Sequence, residues 1–520
     1  MRWTKLATLS AAGLLCAMVP AATAAATAPR SVGRVLGAVD RRPLIASPIA
    51  NFGIGKAAAS PVSSLVAPNG TSYLVYTAET KVGFASAYVC TLPRGAAVCS
   101  RTTLLPPLDS HTSVRDLPDS VLFGPNGTVD VLVTTFSDAN NDDMTTDGLR
   151  ADTLEYVLNP SGTINTGAGR VGSLDNQGDS ISYDGQILWV TGTASMTDGL
   201  QVQETPSDGT FPDLSPPVTI PLAGTPAAHE FYFYGGDLVA LPNGDLLIAW
   251  DDGTNAYVVE VNPSNKFKVV GDSEFKKKVT VSSENDPTAC LASGRSGTYL
   301  LLRSTTDGFS GALSLYKYTR SGHFSAARAV PSTSSDYGDT KLLQDGDGLL
   351  SVYFATFADV LAQETSNSDG RSWSTFDYPS ATPEVTTDIA PALNAFGAGV
   401  VFEGAGGTVG DGIRPRLQPV WVHQFVSLVL GAATVKVGMS ATATGAATPH
   451  DSGQLIVLQE ETPRGWATVA TTSASSAGTF SFKIRTGAVG TEDYRAVAAD
   501  VKGWFFTDDS PTRALEVDKA

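Results

Sequence analysis

The fold class is indicated by thirteen residues in the middle of the chain, Leu238-Val239-Ala240-Leu241-Pro242-Asn243-Gly244-Asp245-Leu246-Leu247-Ile248-Ala249-Trp250. Two apolar runs flank Asn243-Gly244. Asn-Gly between apolar runs is the strongest short-range signal of a β-hairpin, because both residues accept the positive φ angles that a tight turn needs. The stretch therefore predicts two antiparallel strands joined by a tight turn.

This hairpin pattern recurs along the chain, which predicts a repeat architecture. The clearer turns are Asn69-Gly70, Asn126-Gly127, Asp184-Gly185 and Asn243-Gly244, and weaker ones lie near Gly294–Gly297, Asp347-Gly348 and Phe396-Gly397. Each interval has room for two more strands, and a second turn such as Asn159-Pro160-Ser161-Gly162 lies where those strands would meet. Four-stranded units without helical periodicity predict an all-β fold, a β-propeller. Seven blades are favoured, and six or eight stay possible.

The two ends of the chain differ from this repeat. Arg2 and Lys5, an apolar stretch and the small-residue pattern Ala22-Thr23-Ala24 predict a signal peptide over residues 1–24, and hence a secreted, extracellular protein. A linker over 25–39, a propeller over 40–425 and a small β-sandwich over 426–520 follow. We expect the segment Leu44–Phe52 to add a strand to the last blade, beside Pro415–Val422.

Composition excludes some partners. The net charge is −17, whereas nucleic-acid binding needs clustered Lys and Arg, so we expect no nucleic-acid partner. Outside the signal peptide no apolar run is long enough to span a membrane, and a monomer is expected. Cys90 and Cys99 flank a turn sequence, which predicts a disulfide across a hairpin in an oxidising compartment.

Eight residues carry a resemblance to a known family. The stretch Ser366–Trp373 resembles the Asp-box of sialidase-like propellers: Ser366, Gly370 and Trp373 fit the box, Ser368 stands where Asp is usual, and Asp369 follows it. In that family the box joins the third and fourth strands of a blade, packs its aromatic ring between blades and lies away from the active site. The C-terminal strands, such as Thr479–Ile484, resemble the immunoglobulin-like modules of secreted bacterial proteins.

Candidate site residues precede the innermost strands of several predicted blades. They are Arg115, Asp179, His229, Glu230 and Asp339. Loops at this position usually surround the mouth of a propeller's central channel. A carboxylate before a strand commonly caps backbone N–H groups in a turn. The functional interpretation is a ring of carboxylates that holds a cation or supplies an acid/base pair.

A possible calcium site lies in the loop that begins at Asp138. Asp138, Asn140 and Asp142 present side-chain oxygens at alternate positions, the kind of ligand that calcium prefers. The glycine and the closing glutamate of an EF-hand are missing, so calcium competes here with a solvated acidic loop. No other cofactor is expected.

The sequence favours binding over catalysis. The catalytic arginine motif of the sialidase family is not found, and an acidic mouth would repel an anionic sugar. Our leading hypothesis is a secreted protein that binds a carbohydrate or a cell-surface polymer without catalysis. The alternatives are a glycoside hydrolase with a substrate other than sialic acid, drawing on the same residues, and an adhesive or scaffold protein with a protein partner.

Overall fold

The computed structural model describes residues 59–520, except for 82–83, 95, 97, 107–112, 139–148, 173–179, 185, 192–200, 207–217, 221–235, 252–254, 279–288, 306–310, 321–322, 332–334, 346–347, 357–359, 367–368, 379–385, 394–398, 406–415, 422, 449–452, 476–477, 500–505 and 508. Apart from two single-turn 3-10 helices, the secondary structure described there is β-strand, which confirms the predicted all-β fold. No helix of this described part is long and apolar enough to cross a membrane.

The first four sets of strands are antiparallel meanders of four strands each. Meander 1 contains β1 to β4, meander 2 β5 to β8, meander 3 β9 to β12 and meander 4 β13 to β16. Their bounds are β1 Ala59–Val66, β2 Ser72–Lys81, β3 Phe84–Leu92, β4 Arg101–Leu104, β5 Ser113–Phe123, β6 Val129–Asp138, β7 Leu149–Leu158, β8 Ile164–Gly172, β9 Ser180–Tyr183, β10 Gln186–Thr191, β11 Gln201–Pro206, β12 Val218–Thr219, β13 Gly236–Ala240, β14 Leu246–Asp251, β15 Asn255–Asn262 and β16 Lys268–Lys278.

Three further meanders follow in the described residues. Meander 5 contains β17 to β21, with two short strands at its outer side, meander 6 contains β22 to β25, and meander 7 contains β26 to β28. Their bounds are β17 Ala289–Gly294, β18 Gly297–Thr305, β19 Gly311–Arg320, β20 His323–Phe324, β21 Arg328–Ala329, β22 Ser335–Gln344, β23 Leu350–Thr356, β24 Val360–Ser366, β25 Ser374–Tyr378, β26 Thr386–Leu393, β27 Gly399–Ala405 and β28 Arg416–Trp421. The 3-10 turns are Pro125–Gly127 and Pro263–Asn265.

The first strands of the meanders form a closed cycle. In chain order each is adjacent to the next, through β1, β5, β9, β13, β17 and β22 to β26, and β26 is adjacent to β1. This closed order of antiparallel meanders is that of a β-propeller. Because four-stranded meanders return the chain to its starting end, their first strands all begin at one end of the ring. We call this the entry end, and the opposite end the turn end.

Of the predicted hairpin turns, those described lie at the turn end, whereas Gly185, Asp347 and Phe396-Gly397 lie outside the described residues. In the first of them the Gly70 N–H donates to the carbonyl of Ala67 at 2.8 Å, and in the fourth the Gly244 N–H donates to the carbonyl of Leu241 at 3.0 Å. Both glycines have positive φ angles, 83° and 87°, which a residue with a Cβ adopts only under strain. The Asn-Gly signal therefore identifies the strand boundaries correctly.

The hydrophobic core of the ring lies in the seams between neighbouring meanders. Large clusters fill the seams of meanders 7 and 1, 1 and 2, 3 and 4, 4 and 5, and 5 and 6. The described apolar cluster between meanders 2 and 3 contains only Leu132, Val171 and Ile187, with Leu122 packed against it. Among the residues described on its two sides, that seam therefore buries little apolar surface.

The remaining strands form two sheets around one core. The first sheet has the order β30-β32-β29-β37 with β35 paired to β32, and the second has the order β31-β38-β36-β33-β34. Their bounds are β29 His423–Val426, β30 Val429–Leu430, β31 Thr434–Lys436, β32 Ser440–Thr448, β33 Leu455–Thr462, β34 Gly465–Ser473, β35 Thr479–Arg485, β36 Gly490–Ala498, β37 Phe506–Thr507 and β38 Arg513–Asp518. Phe480 and Phe482 from one sheet and Ile456 and Leu458 from the other share the core, so this part is the predicted β-sandwich. The boundary at residue 426 stays a prediction, and β29 already belongs to the sandwich sheet.

Candidate functional site at the entry end

Two of the five candidate residues lie on described strands. Arg115 lies near the start of β5, where its backbone pairs with Phe136 of β6 and with Ala85 of β3. Asp339 lies on β22, in the irregular stretch between the paired residues Ser335 and Thr340. Both positions are in the first half of a first strand, and hence toward the entry end.

The other three candidates lie outside the described residues. Asp179 immediately precedes β9, and His229 and Glu230 precede β13. The chain therefore approaches four different first strands, β5, β9, β13 and β22, with a candidate residue before each strand or in its first half. The cycle of first strands places these four starts at one end of the ring. Sequence order and topology together support a shared site at this end.

The candidate calcium loop begins at the same end. Asp138 is the last residue of β6 and pairs with Leu149 of β7, while Asn140 and Asp142 lie outside the described residues. Ser137 of β6 pairs with Ser113 of β5, so the start of this loop lies beside the entry to β5 that carries Arg115. Among the described residues no group of three or more His, Cys, Asp or Glu side chains is arranged to hold a metal ion.

The stretch that resembles an Asp-box forms a tight turn. It joins β24 to β25, the third and fourth strands of meander 6, as the resemblance implies. The Gly370 N–H donates to Ser366 Oγ at 2.9 Å, and Asp369 and Gly370 have φ angles of 56° and 76°. A Cβ on Gly370 would lie 2.6 Å from Leu315 Cδ2, so glycine is required for both conformation and space.

The carboxylate of Asp369 binds meander 5. Tyr299 Oη donates to Asp369 Oδ1 at 2.5 Å, and Lys317 Nζ forms an ion pair with the same oxygen at 3.1 Å. Arg328 donates to the backbone carbonyl of Asp369. The Tyr299 hydrogen bond is the main cause that lowers the pKa of Asp369, with Lys317 acting in the same direction and burial opposing it. Trp373 packs against the cluster between meanders 5 and 6. The turn thus connects two meanders at the end opposite the candidate site.

The predicted disulfide is confirmed. Cys90 on β3 is bonded to Cys99, which lies just before β4, and the two Cα atoms are 5.6 Å apart. Thr91 of β3 pairs with Arg101 of β4, so the bond closes the hairpin beside its turn. Cys290 is a buried free thiol, and its Sγ lies 2.9 Å from the carbonyl of Thr340.

Sequence reasoning did not single out the buried carboxylate of Asp130. Asp130 of β6 is only 1% exposed, and among the described residues neither oxygen has a hydrogen-bond partner. Burial raises its pKa to about 7. Because Val129 and Val131 on the same strand face meander 1, Asp130 faces the apolar-poor seam with meander 3. The signal that could have identified Asp130 is an acidic residue within a strand that is otherwise rich in apolar residues.

A second buried acidic group lies at the turn end. Asp245 accepts hydrogen bonds from Asn243 Nδ2 at 2.8 Å and from Asn262 Nδ2 at 2.7 Å. Burial is the main cause that raises its pKa, and the nearby Glu260 carboxylate adds to it. Tyr318 of meander 5 donates to Glu260. These side chains hold the turn of meander 4 against meander 5, which is a structural role.

Comparison with known proteins gives distant structural likenesses. No protein-family model matches the chain, and no curated protein matches it. Among solved structures it is similar to a Trypanosoma rangeli sialidase in complex with 2,3-difluorosialic acid, with 9% identity, a TM-score of 0.38 and 92% of each chain covered. It is also similar to AofleA from Arthrobotrys oligospora, with 10% identity, a TM-score of 0.37 and 62% of this chain and 86% of that one covered. A third is a GH43_1 enzyme from Xanthomonas citri complexed with xylose, with 10% identity, a TM-score of 0.30 and coverage of 72% and 89%. Since these scores are low, the fold assignment rests on the strand order alone.

Proposed function

We propose that the protein is a secreted, monomeric binding protein whose entry end holds a carbohydrate or cell-surface polymer without cleaving it. The observation that carries the proposal is the cycle of first strands, which brings the starts of β5, β9, β13 and β22 to one end. Arg115, Asp179, His229, Glu230 and Asp339 precede or occupy those starts. Carboxylate, imidazole and guanidinium groups supply both acceptors and donors for the hydroxyl groups of a sugar.

Charge favours a neutral ligand over an acidic one. The chain carries 52 acidic and 35 basic residues, so it attracts anionic polymers poorly. The candidate set has one arginine, whereas bidentate recognition of a sugar carboxylate relies on guanidinium groups. A neutral glycan meets no such electrostatic penalty. Calcium held by Asp138, Asn140 and Asp142 would place a cation beside the same site, and cations of this kind bind sugar hydroxyl oxygens.

The competing function is glycoside hydrolysis at the same site. A pair among Asp179, Glu230 and Asp339 would have to lie at the separation that an acid and a base or nucleophile need across a glycosidic bond. The immunoglobulin-like resemblance of the sandwich favours attachment of the ring to a surface or partner, which is compatible with either function.

A glycan array tests the proposal. The mature chain, starting at residue 25, is applied with calcium and again with a chelator, and the bound sugars are analysed by mass spectrometry. We expect intact neutral glycans to be retained, and calcium-dependent retention would implicate the Asp138 loop. Cleaved sugars would establish a hydrolase instead. The absence of any bound glycan would reject both carbohydrate functions in favour of a protein partner.

A further inference from the structure

Two turns of the ring share one sequence and differ in structure. Pro68-Asn69-Gly70-Thr71 and Pro125-Asn126-Gly127-Thr128 are the first hairpin turns of meanders 1 and 2. A third turn, in meander 4, reads Pro242-Asn243-Gly244-Asp245. Asn-Gly is the dipeptide most prone to spontaneous deamidation, because glycine leaves its own backbone nitrogen unhindered. Identical sequences have the same intrinsic reactivity, so a difference in rate between Asn69 and Asn126 must come from the fold.

The reaction needs a free asparagine side chain. The backbone nitrogen of the following glycine loses its proton and attacks the side-chain amide carbon. A C–N bond forms, the side-chain nitrogen leaves as ammonia, and a succinimide ring results. Water then opens either of the two imide C–N bonds, giving aspartate or isoaspartate. The side chain must rotate to bring its amide carbon to that nitrogen, so hydrogen bonds that fix the side chain slow the reaction.

Hydrogen bonds fix two of the three asparagines. Asn69 Oδ1 accepts the Thr71 N–H at 3.0 Å. Asn243 Oδ1 accepts the Asp245 N–H at 3.1 Å, and its Nδ2 donates to Asp245 at 2.8 Å and to Glu260 at 3.2 Å. The two carboxylates beside Asn243 also disfavour the negative charge that develops on the attacking nitrogen.

Asn126 is held least. Its side chain is exposed, and no described group forms a hydrogen bond with it. Its backbone has φ 60° and ψ 22°, in the left-handed region that asparagine adopts more readily than most other residues with a Cβ. Gly127, which supplies the attacking nitrogen, is exposed as well. The turn of meander 2 therefore lacks the side-chain bonds that hold the other two turns.

We propose that Asn126 is a site of spontaneous covalent modification, converted to aspartate and isoaspartate in the folded protein before Asn69 and long before Asn243. The product adds a negative charge at the turn end, and isoaspartate lengthens the backbone of the turn by one carbon. The site lies at the end of the ring opposite the proposed binding site, and its modification does not depend on the proposed function.

Peptide mapping of the aged protein tests this inference. The mature chain is incubated in mildly alkaline buffer at a temperature below its melting point, and the three Asn-Gly peptides are followed by mass spectrometry. We expect the peptide of Asn126 to gain the mass of an amide-to-acid exchange several times faster than that of Asn69, with Asn243 slowest. In an Asn126→Gln variant, the peptide that contains residue 126 should keep its original mass during the incubation.

The unfolded chain supplies the control. In denaturant the Asn69 and Asn126 peptides should react at equal rates, since their Pro-Asn-Gly-Thr sequences are identical. Equal rates for the two in the folded protein, or Asn243 reacting as fast as Asn126, would overturn the inference. A difference between Asn69 and Asn126 that persists in denaturant would overturn it too, because the fold would then not be the cause.

Discussion

At the scale of single residues, two carboxylates of the ring respond to pH in opposite directions. The pKa of Asp130 is raised above its ordinary value by burial, and the pKa of Asp369 is lowered chiefly by the Tyr299 hydrogen bond. A raised carboxyl pKa means that ionisation destabilises the fold, whereas a lowered one means that ionisation stabilises it. Substitution of Asp130 and substitution of Asp369 should therefore change the stability of the fold with opposite dependences on pH.

Asp130→Asn should stabilise the protein in alkaline solution. The cost of ionising Asp130 is absent below its unfolded pKa, grows as pH rises toward the folded pKa of about 7, and is complete above it. That cost is at most about 4 kcal/mol. The melting temperature of the variant should exceed that of the wild type at about pH 8, and the gap should close toward about pH 4. An equal loss of stability at every pH would contradict this assignment.

Asp369→Asn should destabilise the protein near neutral pH. The variant loses the ion pair with Lys317 and weakens the bond from Tyr299, a partly exposed set of interactions worth about 1 kcal/mol. The loss should shrink as pH falls through the lowered pKa of Asp369, because the wild type then loses its charge as well. Melting curves of the wild type, Asp369→Asn, Tyr299→Phe and the double variant measure the coupling, and additive effects of the two substitutions would contradict a direct interaction.

At the scale of elements, the disulfide hairpin should stabilise meander 1. The bond closes a loop with a sequence separation of 9, for which the chain-entropy relation gives about 2–3 kcal/mol. Reduction of the folded protein should lower its melting temperature and speed amide exchange in β3 and β4, while exchange in β14 and β15 serves as the internal control. Unchanged exchange in β3 after reduction would show that packing alone holds this hairpin.

The last meander should require the segment Leu44–Phe52. Within the described residues β28 pairs only with β27, whereas the third strands of the other meanders each have a partner on their outer side. A chain starting at residue 53 should therefore melt at a lower temperature than one starting at residue 40, because the outer edge of β28 would lose its expected partner. Equal melting temperatures would show that this segment does not complete meander 7.

Sequence could predict the elements more fully than the site. Asn-Gly turns and apolar alternation define the hairpins, because those signals depend on neighbouring residues alone. The polar seam of meanders 2 and 3 was not predicted, because Asp130 and Glu155 face it from strands whose partners are distant in sequence. The same limit applies to the candidate site, since Arg115, Asp179 and Asp339 come from three meanders and their mutual distances depend on the closure of the ring.

At the scale of the whole molecule, the proposed binding function gives the two ends of the ring different roles. At the turn end, the described turns at Gly70 and Gly244, the disulfide hairpin and the turn of Asp369 are held by hydrogen bonds or a covalent bond. The entry end carries the starts of the first strands, where the candidate residues are proposed to act, and the end of β6, where the proposed calcium site begins at Asp138.

The most direct test uses calorimetry to measure the affinity for the glycan that the array selects. Three chains are compared: the wild type, the entry-end double variant Asp179→Asn/Asp339→Asn, and the turn-end variant Asp369→Asn as the control. We predict that the entry-end variant loses at least about tenfold in affinity, equivalent to about 1.4 kcal/mol, while the control binds like the wild type. Unchanged affinity in the entry-end variant, or an equal loss in the control, would contradict the placement of the site.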